Sequence, residues 1–172
     1  MPTSTFRILA AVIPLQCAAM LAFTWYATRP PATPAPAAQA DRVLVVKSAH
    51  SLTLFSHGTV LRTYKVALGR SDGQKQQQGD NRTPEGHYRI AGHNPHSTCH
   101  LALRISYPNA DDRAHHRTGG DVEIHGLPNG FGYIGALHRA TDWTYGCIAV
   151  TDPEMDEICR LVPDNTPIDI PP

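Results

Sequence analysis

The chain has 172 residues, and its 15 lysines and arginines are balanced by 15 aspartates and glutamates. This length fits one domain and is too short for two ordinary ones. The zero formal net charge excludes an electrostatic basis for nucleic-acid binding, which needs a basic excess.

The first segment of the chain is apolar. A single charge, Arg7, precedes the stretch from Ile8 to Ala27, which is long enough to cross a bilayer with its N-terminus on the cytoplasmic side. Residues 1–27 are therefore predicted to be a signal anchor that stays in the membrane or a signal peptide that is cleaved. Both alternatives export the rest of the chain to the periplasm or cell envelope, either anchored in the inner membrane or secreted.

A tether and a strand-rich domain follow. Residues 28–41 are rich in proline and alanine, which predicts a stiff, extended linker. The domain then occupies residues 42–170. Short β-branched runs predict strands over 42–48, 51–56, 59–69, 87–93, 100–107, 121–126 and 166–170. His57 and Gly58 are predicted to form a hairpin turn, and 70–86 and 108–120 are predicted polar loops.

One helix is indicated, over residues 151–162. Thr151 and Glu154 have the spacing of a capping box, and Pro153 suits the first turn. Apolar residues from Met155 to Val162 would form its buried face. The predicted fold class is mainly β (α+β), a mostly antiparallel, sandwich-like domain with one short helix and an apolar N-terminal helix.

Cys147 and His125 are the candidate chemical groups. An imidazole can take the proton of a nearby thiol, and the resulting ion pair lowers the thiol pKa by several units. Gly146 and Gly126 would let a substrate backbone approach closely. The backbone N–H groups of Tyr145, Gly146 and Cys147 could stabilise an oxyanion. From the spacing alone, a buried structural thiol remains the competing interpretation.

The other cysteines and histidines have structural and functional interpretations. Cys17 lies in the apolar segment, so three cysteines remain in the exported part and at least one is unpaired within the chain or pairs between chains. A disulfide between Cys99 and Cys159 stays open. Two interpretations are open for His93, His96, Cys99 and His100, namely a zinc site or a solvated cluster. His115 and His116 are an adjacent pair that would supply the second half of a zinc site.

Three segments in order resemble one known family. Residues 123–130, EIHGLPNG, and 142–158, DWTYGCIAVTDPEMDEI, resemble the catalytic motif of the L,D-transpeptidase (YkuD-type) family of peptidoglycan cross-linking enzymes. Residues 79–90, GDNRTPEGHYRI, and 100–112, HLALRISYPNADD, resemble its upstream segment and central strand. The likeness covers residues 42–170.

The resemblance implies a role for each matching residue. Cys147 matches the nucleophile, and His125 the histidine that acts first as base and then as acid. Gly126 and Gly146 match the flanking glycines, and Thr144 the Ser/Thr position. The resemblance implies no metal and no cofactor, since the nucleophile belongs to the protein.

Two positions depart from the family pattern. Tyr145 stands where most members have a second histidine, which suggests that His125 alone activates the thiol. Ala149 stands where many members carry an arginine, so the group that holds the substrate carboxylate is open. The candidates for that group are Arg82, Arg104 and Arg139.

The implied reaction is acyl transfer through a thioester. The thiol attacks the amide between the third residue of a peptidoglycan stem peptide and its terminal D-alanine. The acceptor is the amine of a second stem, which gives a 3–3 cross-link, a lysine of an outer-membrane lipoprotein, or water, which makes the enzyme an L,D-carboxypeptidase. A membrane-tethered peptidoglycan-binding module without catalysis is the alternative class. A papain-like protease is disfavoured because its cysteine precedes its histidine.

Overall fold

Strands dominate the described part of the chain. The computed structural model describes residues 38–172, with eight strands and three short helical segments. The strands are β1 (Arg42–Val46), β2 (Ser51–Ser56), β3 (Thr59–Lys65), β4 (Gly86–Asn94), β5 (Ala102–Ile105), β6 (Glu123–His125), β7 (Ile148–Ala149) and β8 (Pro167–Ile170). The helical segments are α1 (Ala110–Ala114), a 3₁₀ segment (Gly132–Ala140) and α2 (Asp152–Leu161).

The strands form one curled sheet in the order β3-β2-β1-β8-β4-β5-β6-β7. Neighbours are antiparallel except the pairs β1–β8 and β6–β7, which are parallel. The register shifts between Ile90 and Gly92 of β4, the strand that joins the two halves of the sheet. Such a bulge bends a strand. The mainly β, mostly antiparallel arrangement that the sequence predicts is present as one sheet that curls around its core.

The segment after β3 contacts the far end of the sheet. Ala67 and Ala149 exchange two backbone hydrogen bonds, of 3.0 and 2.8 Å. Thr144 donates its N–H to the Leu68 carbonyl at 3.1 Å, and Arg70 donates to the Thr144 carbonyl at 3.1 Å. The predicted strand 59–69 thus ends at Lys65, because the next residues leave β2 and pair with the segment around β7.

One apolar core lies inside the curl. Alternate residues of β1 and β2 are fully buried, among them Val43 and Leu52. The same cluster contains Ile124 of β6 and Ile148 of β7, so both halves of the sheet share it. Met155 and Ile158 of α2 close it, as the sequence pattern predicts. A shared core holds the ends of β6 and β7 in a fixed position.

The local predictions succeed where capping and turn signals are strong. The Glu154 carboxylate accepts hydrogen bonds from the backbone N–H and the hydroxyl of Thr151, at 3.0 and 2.7 Å, at the start of α2. His57 and Gly58 have φ values of 50° and 77°, which confirms the predicted turn. The prediction of a single helix is wrong, since α1 lies in the predicted loop 108–120 and a 3₁₀ segment precedes Cys147.

The N-terminal predictions lie outside the described residues. Residues 1–37, which include the predicted apolar segment and most of the linker, are not described. Within residues 38–172, no helix combines the length and the apolar character that a membrane crossing requires.

Candidate active site

The parallel pairing of β6 and β7 brings the two candidate chemical groups into one region of the fold. Ile124 faces Ile148 and His125 faces Ala149 in the register of the two strands. Cys147 directly precedes β7, and its thiol lies next to the backbone of Glu123, two residues before His125. The parallel pairing thus brings Cys147 and His125, which are 22 positions apart in sequence, into the same region of the fold.

His125 is buried, and its tautomer is fixed by one hydrogen bond. The residue is only 6% exposed, and its Nδ1 lies 2.6 Å from the Gly126 carbonyl oxygen. A carbonyl can only accept, so Nδ1 carries the proton and Nε2 keeps its lone pair. The ring packs edge-on against Trp143 with 5.8 Å between centroids. Burial lowers the pKa of His125, so the imidazole is neutral at pH 7.

The Cys147 thiol is protonated in this arrangement. Its Sγ donates to the Asp121 carbonyl at 3.5 Å, and no hydrogen bond joins it to His125 in the described part of the chain. Burial raises the pKa of Cys147 to about 11, against a smaller lowering by a backbone hydrogen bond from Glu123. The expected lowering by the imidazole is absent here, because the thiol contacts the backbone before β6 and not the ring.

Thr144 holds the turn that carries the thiol. Its hydroxyl donates to the Cys147 carbonyl at 2.7 Å and accepts the Gly146 N–H at 3.2 Å. The side chain is buried, and the Thr144 backbone is bonded to the segment after β3 on both sides. Thr144 therefore stabilises the turn that contains Gly146 and Cys147.

Gly146 and Gly126 are needed for close approach. Gly146 has a φ of 125°, and a Cβ there would lie 2.7 Å from the Arg82 carbonyl oxygen. A Cβ on Gly126 would lie 2.7 Å from Oδ1 of Asp152. Any side chain would displace the turn before Cys147 or the segment after His125.

Two of the three predicted oxyanion donors are free to bind an oxyanion. The Gly146 N–H already donates to Thr144, while the N–H groups of Tyr145 and Cys147 have no acceptor among residues 38–172. The Tyr145 side chain is 74% exposed, and the Arg70 guanidinium lies 4.4 Å from its ring centroid. Tyr145 is therefore oriented over Arg70, and no hydrogen bond joins it to His125.

A cleft opens at Cys147. Its volume is about 380 Å³. It is lined by the loop 70–86, the segment before β6 and the turn before β7, namely Lys75, Gln78, Gly79, Asn81, Gly120, Asp121, Val122, Tyr145, Gly146 and Cys147. The thiol is thus reachable from solvent, and Lys75 is a cleft residue that sequence reasoning missed.

The three candidate arginines do not line this cleft. Arg82 donates from Nη1 to the Gln74 carbonyl at 3.4 Å. Arg104 is mostly exposed and lies 3.7 Å from Glu123, and Arg139 is paired with the Glu154 carboxylate.

Asp152 also positions the site without having been predicted to do so. Its Oδ1 accepts the Leu127 N–H at 2.7 Å, which ties the segment after His125 to the start of α2. An acidic residue in the first turn of a helix was the only signal in the sequence, and it indicates capping as readily as a tertiary contact.

The remaining cysteines and histidines do not line the cleft. Cys99 and Cys159 are free thiols. His93 and His100 each have a carboxylate partner, Asp164 at 2.7 Å and Asp156 at 2.8 Å. Within residues 38–172, no cluster of three or more His, Cys, Asp or Glu side chains could hold a metal ion.

Comparison with known proteins assigns the family. The family model described as the L,D-transpeptidase catalytic domain, YkuD, matches residues 40–170. The chain therefore belongs to the L,D-transpeptidase catalytic-domain family, as the motifs predict. The Escherichia coli K12 protein YafK, provisionally named an L,D-transpeptidase, is 36% identical over 106 residues, which are 60% of this chain and 37% of that protein. The chain thus spans little more than a third of that curated relative.

Solved structures agree with the fold. The helical cell shape determining protein Pgp2 from Campylobacter jejuni superposes with a TM-score of 0.62 at 24% identity, over 75% of this chain and 46% of that one. An L,D-transpeptidase from Mycobacterium smegmatis gives a TM-score of 0.55 at 15% identity, over 76% and 58%. At these identities the likeness concerns the fold alone.

Proposed function

We propose that this chain is a cysteine-dependent L,D-transpeptidase that acts on peptidoglycan stem peptides through a thioester. Cys147 is the nucleophile, and His125 is the general base and then the general acid. The observation that supports this most is a thiol that lines a cleft directly before β7, beside the strand that carries a neutral imidazole with a free Nε2 lone pair.

The first half-reaction needs the thiol to move toward the imidazole. The Cys147 side chain rotates away from the Asp121 carbonyl, and Nε2 of His125 takes its proton as sulfur attacks the stem amide. The carbon–nitrogen bond breaks, and the imidazolium gives the proton to the departing D-alanine amine. A neutral imidazole suits this sequence, because it can accept the proton at pH 7.

The negative oxygen of the tetrahedral intermediate needs donors above the thiol. The free N–H groups of Tyr145 and Cys147 supply them, and the Thr144 hydroxyl keeps the turn in place. Gly126 and Gly146 keep the approach to the thiol open. No metal or cofactor takes part in this scheme.

The second half-reaction depends on the acceptor. An amine of a second stem attacks the thioester and forms a 3–3 cross-link, with His125 taking its proton. A lysine of an outer-membrane lipoprotein would attach that protein, and water would make the enzyme an L,D-carboxypeptidase. These substrates place the site of action in the cell envelope, with residues 1–27 as the export signal or membrane tether.

Products of the full chain with purified muropeptides test the proposal. Mass spectrometry is expected to show loss of D-alanine together with a cross-linked dimer, and His125→Gln should lose most of both. Hydrolysed monomer without dimer would identify the carboxypeptidase instead. Bound but unchanged muropeptides would contradict catalysis and indicate a binding module.

A further inference from the structure

We propose that Lys75 binds a carboxylate of the acyl-donor peptide in the cleft at Cys147. This inference rests on the proposed function, since it assigns the substrate-binding cation of that same site. Lys75 would supply the positive charge that many family members provide with an arginine at the position of Ala149.

Lys75 is buried but keeps donor capacity. The residue is 3% exposed, and its Nζ donates to Oδ1 of Asp80 at 2.8 Å and to the Gln77 carbonyl at 3.3 Å. An ammonium has three N–H donors. The described residues supply acceptors for two of them, so one donor remains for a ligand.

The ammonium lies next to the turn that carries the nucleophile. A Cβ built on Gly146 would lie 3.7 Å from Nζ of Lys75, and Gly146 directly precedes Cys147. Both Lys75 and Cys147 line the same cleft of about 380 Å³. A carboxylate held by Lys75 would therefore lie in the same cleft as an amide positioned over the thiol.

The Asp80 carboxylate holds the Lys75 ammonium in place, and its oxygens are already occupied by other donors. Its two carboxylate oxygens accept from Lys75 and from three backbone N–H groups, those of Gln76, Gln77 and Arg82, at 2.7 to 3.1 Å. These hydrogen bonds lower the pKa of Asp80, which keeps the carboxylate ionised and Lys75 in place. The other charged side chain of the cleft lining is Asp121, which is exposed.

The chemistry of the donor peptide matches this arrangement. The carboxylate of the leaving D-alanine is three bonds from the scissile carbonyl carbon, so its binding group must lie close to the nucleophile. A diaminopimelate residue carries a second free carboxylate on its side chain. Both sources present the same anionic group, and a charge-assisted hydrogen bond from a buried ammonium would fix it.

The test uses the full chain and three tetrapeptides: one with both carboxylates free, one with the C-terminal carboxylate amidated, and one with the diaminopimelate side-chain carboxylate amidated. The wild type is expected to lose about 10- to 100-fold in kcat/KM when the bound carboxylate is amidated. The peptide that shows the loss identifies which carboxylate is bound.

The matched variant is Lys75→Met combined with Asp80→Asn, which removes both buried charges and leaves neither unpaired. Its kcat/KM on the peptide with both carboxylates free should fall by a similar factor, and amidation of the peptide should cause no further loss. Lys75→Arg should retain part of the preference for the free carboxylate. Arg104→Gln serves as a control and should behave as the wild type. Alkylation of Cys147 by iodoacetamide checks that the variant site is intact.

Two results would overturn the inference. One is a wild type that turns over all three peptides equally, and the other is a double variant that still discriminates among them. Failure of the proposed function is distinguishable, because the wild type would then release D-alanine from none of the peptides.

Discussion

At the scale of single residues, the resting site holds a neutral thiol and a neutral imidazole. The resemblance to a known family singled out Cys147 and His125 as candidates, but their protonation states could not be read from the sequence. Burial raises one pKa and lowers the other, and burial depends on the segments around β6 and β7. The same holds for Lys75, since a lysine in a polar loop usually indicates a solvated side chain.

Alkylation kinetics should report the raised pKa of the Cys147 thiol. We expect the rate with iodoacetamide to increase about tenfold per pH unit and to level off near pH 11, well above the ordinary thiol pKa of about 8.5. Cys147→Ala provides the background from the other cysteines. A plateau below pH 7 would instead indicate a resting thiolate–imidazolium pair.

Replacing Thr144 should separate its bracing hydroxyl from its size. Thr144→Val removes the hydrogen bonds to Cys147 and Gly146, and we expect kcat/KM to fall about 10- to 100-fold as the turn loses its position. The free energy of unfolding, measured in urea, should fall by about 1–3 kcal/mol. Thr144→Ser keeps the hydroxyl and should recover most of the activity; equal losses in both variants would argue against a role for the hydroxyl.

At the scale of elements, local sequence signals predicted caps and turns correctly, whereas contacts between distant segments were not predicted. The capping box of α2 and the 57–58 turn depend on neighbouring residues, so the sequence predicts them. The short helix α1 has a capping box of its own between Asn109 and Asp112. With only five residues and no apolar periodicity, it looked like a loop.

Asp152 couples α2 to the segment after His125, and its substitution should affect activity. Asp152→Ala removes the acceptor for the Leu127 N–H beside Gly126, whose carbonyl orients the imidazole. We expect about a tenfold loss in kcat/KM and a destabilisation of about 1–3 kcal/mol in urea unfolding. Asp152→Asn retains an acceptor oxygen and should lose less. Equal effects would mean that the negative charge, not the hydrogen bond, is what matters.

At the scale of the whole molecule, the sheet curls so that the segment after β3 meets β7. The pairing of Ala67 with Ala149 links residues far apart in sequence, and no propensity or motif encodes it. The mainly β class and most strands could be predicted, because alternation of buried and exposed residues is local. The strand order and the cleft between distant loops could not, because they depend on non-local contacts.

Two buried histidines should make the stability of the fold pH-dependent. Burial lowers the pKa values of His125 and His138 below the ordinary value of 6.5, so the unfolded chain binds more protons as the pH falls through that value. The free energy of unfolding should therefore decrease below about pH 6.5, by at most about 1.4 kcal/mol per pH unit for each histidine.

Urea unfolding between pH 5 and pH 8 measures this dependence. His125→Gln should flatten the slope, since one buried histidine no longer titrates. An unchanged slope in that variant would show that His125 is not the group responsible. The carboxylates with lowered pKa values, Asp80, Glu154 and Glu157, lose their contribution only at lower pH.

Intact-protein mass spectrometry of the full chain mixed with a stem tetrapeptide tests the central claim most directly. We predict a mass increase equal to the tripeptide acyl group, located on Cys147 and absent from Cys147→Ala. A full-sized adduct on the Ala variant, or D-alanine release by that variant at the wild-type rate, would contradict the assignment of Cys147 as the nucleophile.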